Sequence, residues 1–141
     1  MMTMTQKIRK MIEQMFRGGA KQIIIYPFGD IGMSVKNTLN MAYGVIEDYI
    51  VDNHLCKFNS KIYSIELFNE IDVANFSVIL ATDQKELYNE LVKILLEKKF
   101  DMNQIYTFES NRKDKQQDIS FYYNQLVTKI GKYSYGPICV E

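Results

Sequence analysis

The sequence predicts an α/β domain in which a parallel sheet carries helices on both faces. Three observations point there. Ile23-Ile24-Ile25-Tyr26 is an apolar run that ends abruptly in Pro27-Phe28-Gly29-Asp30, and a helical pattern begins at Ile31. Two further apolar runs, Tyr49-Ile50-Val51 and Phe76-Ser77-Val78-Ile79-Leu80-Ala81, are separated by helix-compatible stretches. Strands that alternate with helices are expected to run in one direction, because each crossover returns the chain to the same end of the sheet.

Taken in order, Ile8, Met11, Ile12, Met15 and Phe16 recur at helical spacing, so residues 5–16 form an amphipathic helix that Gly18-Gly19 stops. Its mixed charges favour packing on its own domain over a membrane contact. Gln22 to Tyr26 shows no polar alternation, as expected of a central strand covered on both faces. Ile31, Val35, Leu39 and Ala42 then mark a helix, with Asp30 placed as its N-cap and Gly44 just past its end. A second strand at Tyr49 to Val51 finishes at Asp52-Asn53.

The polar stretch 54–61 leads to a short strand over 61–65 and a brief helix over 66–71. The strand 76–81 ends at Thr82-Asp83, and a strong helix follows. Asp83 and Glu86 resemble a capping box, Leu87, Leu91, Ile94 and Leu95 form the buried stripe, and Lys98-Lys99 suit the negative end of the helix dipole. A last strand is expected at Ile105 to Phe108. The chain thus divides into an N-terminal helix (1–20), a Rossmann-like doubly wound domain (21–109) and a C-terminal extension (110–141). That extension holds a charged linker to Asp118, a helix from Ile119 to Ile130, and a closing segment from Gly131.

Composition narrows the function. Seventeen basic and seventeen acidic residues in 141 leave a formal net charge of zero, so no overall basic field attracts nucleic acid or an anionic membrane. No apolar run approaches the ~18 residues of a membrane span. Lys7, Arg9, Lys10 and Glu13 interrupt any signal-peptide core, so a cytoplasmic location is expected. Cys56 and Cys139 belong to no CxxC or Cys/His cluster, so neither a disulfide framework nor a metal site is expected.

The turn after the first strand is where a phosphate would approach backbone N–H groups at a helix N-terminus. Gly29 and Gly32 fit the last two glycines of G-x-G-x-x-G, and Asp52 stands about twenty residues beyond, where an acidic residue accepts ribose hydroxyls. Pro27 replaces the first glycine, Phe28 is bulky, and Asp30 adds a negative charge. These departures disfavour a tightly held dinucleotide. Thr82, Asp83 and His54 lie at or near the carboxyl ends of strands and could reach the same crevice. No Ser/His/Asp or Cys/His nucleophile arrangement can be assembled from spacing, so no catalytic residue is assigned.

Residues Ile24 to Gly32, followed by Tyr49 to Asn53, resemble the small Rossmann-like domain that precedes the catalytic part of bacterial sugar acyltransferases of the left-handed β-helix, hexapeptide-repeat class. Similar domains precede sugar-modifying methyltransferases and occur in nucleotide-sugar epimerase and dehydratase relatives. Ile130 to Gly136 is similar to the segment that opens the β-helix in xenobiotic-type acetyltransferases, although a short terminal strand of the same domain is the rival reading. The resemblance implies an accessory domain of surface-polysaccharide or glycan biosynthesis that takes a nucleotide-sugar such as a UDP-sugar, with acetyl transfer carried out outside this chain. Gly29 and Gly32 would approach the phosphate and Asp52 the ribose or base, and Asp30, Asn53 and Thr82 count with them as candidate nucleotide-binding residues. The alternatives are an NAD(P)-binding domain of the epimerase or dehydratase type, which needs a catalytic Tyr/Lys pair whose Tyr-x-x-x-Lys spacing this sequence does not carry with a supporting serine, and a structural or homo-oligomerising module.

Overall fold

A computed structural model describes residues 2–108. The expected linker, helix and closing segment of 110–141, with Cys139, lie outside the described residues. Helix α1 (Met4–Arg17) precedes strand β1 (Ile23–Tyr26), helix α2 (Asp30–Tyr43), strand β2 (Tyr49–Ile50), strand β3 (Ser77–Leu80), helix α3 (Lys85–Glu97) and strand β4 (Ile105–Tyr106). All pairings are parallel and the strand order is β2-β1-β3-β4, so the α/β class and the parallel sheet are as expected.

Alternation along the strands sorts the core into two layers. Ile23 and Ile25 of β1, with Ile79 of β3, face α1 and α2 together with Ala81 and Phe108. Ile24 and Tyr26, with Val78 and Leu80, face α3 and the chain between β2 and β3, including Leu67 and Phe68. All four residues of β1 are buried, which explains why its sequence lacks polar alternation. The connection from β1 to β2 crosses one face through α2. The connections from β2 to β3 and from β3 to β4 cross the other face in the opposite direction, as one crossover handedness requires.

Helix α1 packs on α2 and β4 through Ile8, Met11, Ile12 and Met15, so its apolar face is satisfied within the domain. It starts at a capping box in which the Thr3 hydroxyl accepts from the Gln6 N–H and the Gln6 carboxamide accepts from the Thr3 N–H. Helix α2 ends at Gly44 with φ 65°, a left-handed cap that a side chain would disfavour.

Five local expectations need correction. The N-cap of α2 is Gly29, and Asp30 is the first helical residue. The N-cap of α3 is Gln84, so Asp83 and Glu86 form no capping box; the Thr82 hydroxyl accepts the Gln84 N–H at 3.1 Å, which turns the chain one residue further before the helix starts. The buried stripe of α3 is Tyr88, Leu91, Val92 and Leu95, with Leu87 and Ile94 only half-buried, so the face turned to the sheet is rotated from the expected one. The strand expected over 61–65 reduces to one parallel bridge between Tyr63 and Val51, and the helix over 66–71 is a 3-10 segment, Ile65–Asn69.

A polar cluster joins the far half of α2 to the approach to β2. Lys36 Nζ donates to Glu47 at 2.5 Å, and Asn40 Nδ2 donates to Glu47 and to the Val45 carbonyl. Burial alone would raise the Glu47 carboxyl, but the hydrogen bonds from Lys36 and Asn40 and the Lys36 charge outweigh it and hold the pKa below the usual value. The unfolded chain therefore takes up this proton first as the pH falls. Stability from Glu47 is complete above its unfolded pKa of about 4.3 and is lost as pH falls through the lower folded value. Urea unfolding of Glu47→Gln against wild type should show a deficit of about 1 kcal/mol at pH 7 that shrinks towards zero in acid. A deficit independent of pH would show that the carboxylate charge is not what stabilises the cluster.

Gly32 is required by close approach. A Cβ there would lie 2.5 Å from the Pro27 carbonyl oxygen and 3.2 Å from the Phe28 ring. Overpacking of this kind costs about 1–3 kcal/mol and outweighs the ~1 kcal/mol that alanine gains over glycine in helix propensity. Gly32→Ala should lower the urea midpoint, whereas Gly29→Ala, whose Cβ meets nothing within 4 Å, should leave it nearly unchanged.

Candidate functional site

The strand order reverses between β1 and β3: from β1 the chain goes outward to β2 and then returns to the other side. In open parallel sheets the crevice at the carboxyl ends of such a strand pair is where ligands bind. Here it is bounded by Pro27–Asp30 after β1 and by Ala81–Gln84 after β3, held side by side because the Ala81 N–H donates to the Tyr26 carbonyl at 2.9 Å.

Two helices start at this rim. Gly29 has an extended backbone (φ −86°, ψ −155°), its carbonyl accepts the Met33 N–H at 2.9 Å, and no side chain caps the first turn of α2. Gln84 stands in the same relation to α3, its carbonyl accepting the Tyr88 N–H at 2.8 Å, again without a side-chain cap. The first-turn N–H groups of a helix have no partner within it and carry the positive end of its dipole. Gly29 is exposed, and space lies open where its Cβ would be. Thr82, two residues past β3, is 5 % exposed.

Asp52 binds the turn from the side. Its Oδ2 accepts the Phe28 N–H at 2.9 Å, and its Oδ1 accepts the N–H groups of His54 and Leu55, each at 2.9 Å. Three of the four lone-pair directions of the carboxylate are thereby used by the backbone. Sequence spacing places Asp52 at the end of β2; its tie to the β1 turn is visible only in the structure. Asn53 turns away from the crevice, its Oδ1 accepting the Ile65 N–H at 2.9 Å. His54 is exposed, with its ring edge-on to Phe58 at 5.5 Å.

The structure thus brings Gly29, Asp30, Gly32, Asp52 and Thr82 to one end of the sheet, with Asn53 at its margin. Gly32 serves the turn itself, and Phe28, which sequence spacing marks as an obstruction, packs its side chain with the α1/α2 core. Phe28 also lines a groove of about 360 Å³ beside β2, shared with Lys36, Ile50, Asn59, Lys61 and Tyr63. Sequence reasoning missed this groove, because Lys61 to Tyr63 looked like an ordinary strand. Tyr26, at the end of β1, has its phenol pushed up to about 12 by burial and by the Asp52 and Glu90 carboxylates, so it stays protonated and offers no general base.

Among the described residues no group of three or more His, Cys, Asp or Glu side chains could hold a metal ion, and no helix is long and apolar enough to cross a membrane. No protein-family model, curated protein or solved structure matches the chain. What the fold defines is a class: an α/β domain with a four-stranded, all-parallel sheet.

Removing the Asp52 carboxylate strands three N–H donors, of which water reaches the exposed His54 most readily. Asp52→Ala should therefore cost about 2 kcal/mol in urea unfolding and speed hydrogen exchange at the Phe28 amide. Unchanged exchange at Phe28 would show that the turn does not depend on this bond.

Proposed function

We propose that this is a Rossmann-like, nucleotide-sugar-binding accessory domain of a cytoplasmic step in surface-polysaccharide or glycan biosynthesis, associated with acetyl transfer carried out elsewhere. The observation that carries the reading is the pair of helix N-termini, α2 and α3, which start without side-chain caps on either side of one crevice. Backbone N–H groups in that arrangement suit phosphate oxygens. Gly29 leaves room for close approach, and the groove beyond Phe28 falls within the roughly 300–1,000 Å³ typical of ligand sites and can take the nucleoside. The Asp30 carboxylate in the first turn of α2 stabilises the helix and opposes a diphosphate, which favours a modest affinity.

Calorimetric titration with UDP-glucose and UDP-N-acetylglucosamine tests the proposal. Binding is expected in the micromolar to millimolar range, and no heat with millimolar ligand would remove it. Gly29→Ala should weaken binding while leaving thermal stability nearly unchanged, because its Cβ enters the space a phosphate needs and meets no protein atom within 4 Å. Asp30→Asn should tighten binding by about two- to fivefold, the size of one dipole-scale charge effect, at a cost to stability of about 0.5 kcal/mol. Weaker binding in Asp30→Asn would instead make Asp30 a direct acceptor for a ligand hydroxyl.

A further inference from the structure

The groove beside β2 has two walls of different chemistry. On the inner wall Glu47 is saturated: one carboxylate oxygen accepts from Asn40 Nδ2 and the other from Lys36 Nζ, and that ammonium also donates to Asn40 Oδ1 at 3.0 Å. Next to it, Asp48 Oδ2 accepts the Ile23 N–H at 2.7 Å, which leaves Oδ1 as an acceptor. The outer wall is the exposed segment that carries Asn59 and Lys61. Asn59 Oδ1 accepts the Lys61 N–H at 2.8 Å, so the orientation of the carboxamide is fixed and its NH2 is what remains to offer. Among the described residues neither Asn59 Nδ2 nor Lys61 Nζ has a partner. The segment itself is anchored at Tyr63, which donates to the Ile50 carbonyl and accepts the Asp52 N–H, each at 2.9 Å. The groove thus sets two side-chain donors on a fixed backbone across from one free acceptor.

We infer, on the strength of the proposed nucleotide binding, that this groove selects an imide base, uracil or thymine, over cytosine, and that Asn59, Lys61 and Asp48 read it. The edge of an imide base runs acceptor, donor, acceptor: the O2 carbonyl, the N3–H and the O4 carbonyl. Cytosine keeps O2 but presents a bare N3 and an N4 amine, so its edge runs acceptor, acceptor, donor. Asp48 Oδ1 takes the N3–H of the imide, and the donors of Asn59 and Lys61 take its carbonyl oxygens. Cytosine in the same pose sets its bare N3 against the Asp48 carboxylate and its amine against the donors. A site whose polar groups are left unpaired by the wrong ligand discriminates more sharply than one that loses an apolar contact. Phe28, Ile50 and Ile62 in the same groove suit the flat faces of either base, so the choice falls to the three polar side chains.

Calorimetric titration of the full chain with UMP, dTMP and CMP, run beside the UDP-sugars, provides the test. UMP and dTMP should bind alike, and CMP about tenfold more weakly, the size of one mispaired hydrogen bond. Asn59→Asp keeps the oxygen that accepts the Lys61 N–H and replaces the NH2 by a second acceptor. It should therefore abolish or reverse the preference for UMP over CMP, while circular dichroism melting stays as in wild type because residue 59 is exposed. Damage to the fold lowers both affinities and reverses nothing. Lys61→Met should lower UMP affinity more than CMP affinity. CMP binding wild type as tightly as UMP does, with UDP-glucose still giving heat, would overturn the inference and leave the nucleotide reading intact. An unchanged preference in Asn59→Asp would overturn the assignment of Asn59 as a reader of the base. No heat with any of these ligands would remove both the inference and the reading beneath it.

Discussion

Strand β1 must be satisfied on four sides at once, and the rest of the domain follows from that constraint. Its backbone pairs with β2 on one edge and β3 on the other, and its side chains bury alternately into the two core layers. Each fully buried isoleucine contributes about 1.5–3 kcal/mol, but only if helices cover both faces. Helix α2 covers one face beside β2. Both later crossovers run over the opposite face, which would leave the β3–β4 half of the first face bare. Helix α1 fills that place, and so the segment before β1 is part of the same core.

The turn that leaves β1 is built to be short. The backbone at Gly32 reaches the Pro27 carbonyl more closely than any side chain permits, and Asp52 holds the Phe28 N–H from the neighbouring strand. This tightness places the start of α2 at the sheet rim next to the start of α3. Helix dipoles bring a partial positive charge of about 0.5 to each start, while Asp30, Asp83 and Glu86 bring whole negative charges nearby. Long-range attraction of an anion is therefore weak here. Any phosphate held at this rim is held by the direction of the N–H groups, which matters only at contact.

Helix α2 borders the crevice, the core and the solvent at once. Its first turn forms the crevice, its inner face carries Val35 and Leu39 into the core, and its outer face is uncharged. The cluster of Lys36, Asn40 and Glu47 draws the one mid-helix charge sideways against the approach to β2. The outer face stays neutral because that lysine is occupied.

Hydrophobic periodicity by itself determined the class of fold, the three long helices and the buried run of β1, since burial demands a period of two or 3.6 regardless of what lies opposite. It also marked Gly29, Gly32, Asp52 and Thr82 as residues near the ends of strands. The start of α3 after Gln84, whose N–H the Thr82 hydroxyl accepts, and the face that buries Tyr88 and Val92 are choices that short-range patterns leave open. The order β2-β1-β3-β4 needed the chain between β2 and β3 to cross the face opposite α2, and no local signal encodes which face a connection takes. The partner of Asp52 was equally hidden. A carboxylate at the end of one strand finds a backbone N–H at the end of another only when the sheet has set them side by side, because hydrogen bonds depend on distances that sequence separation does not fix.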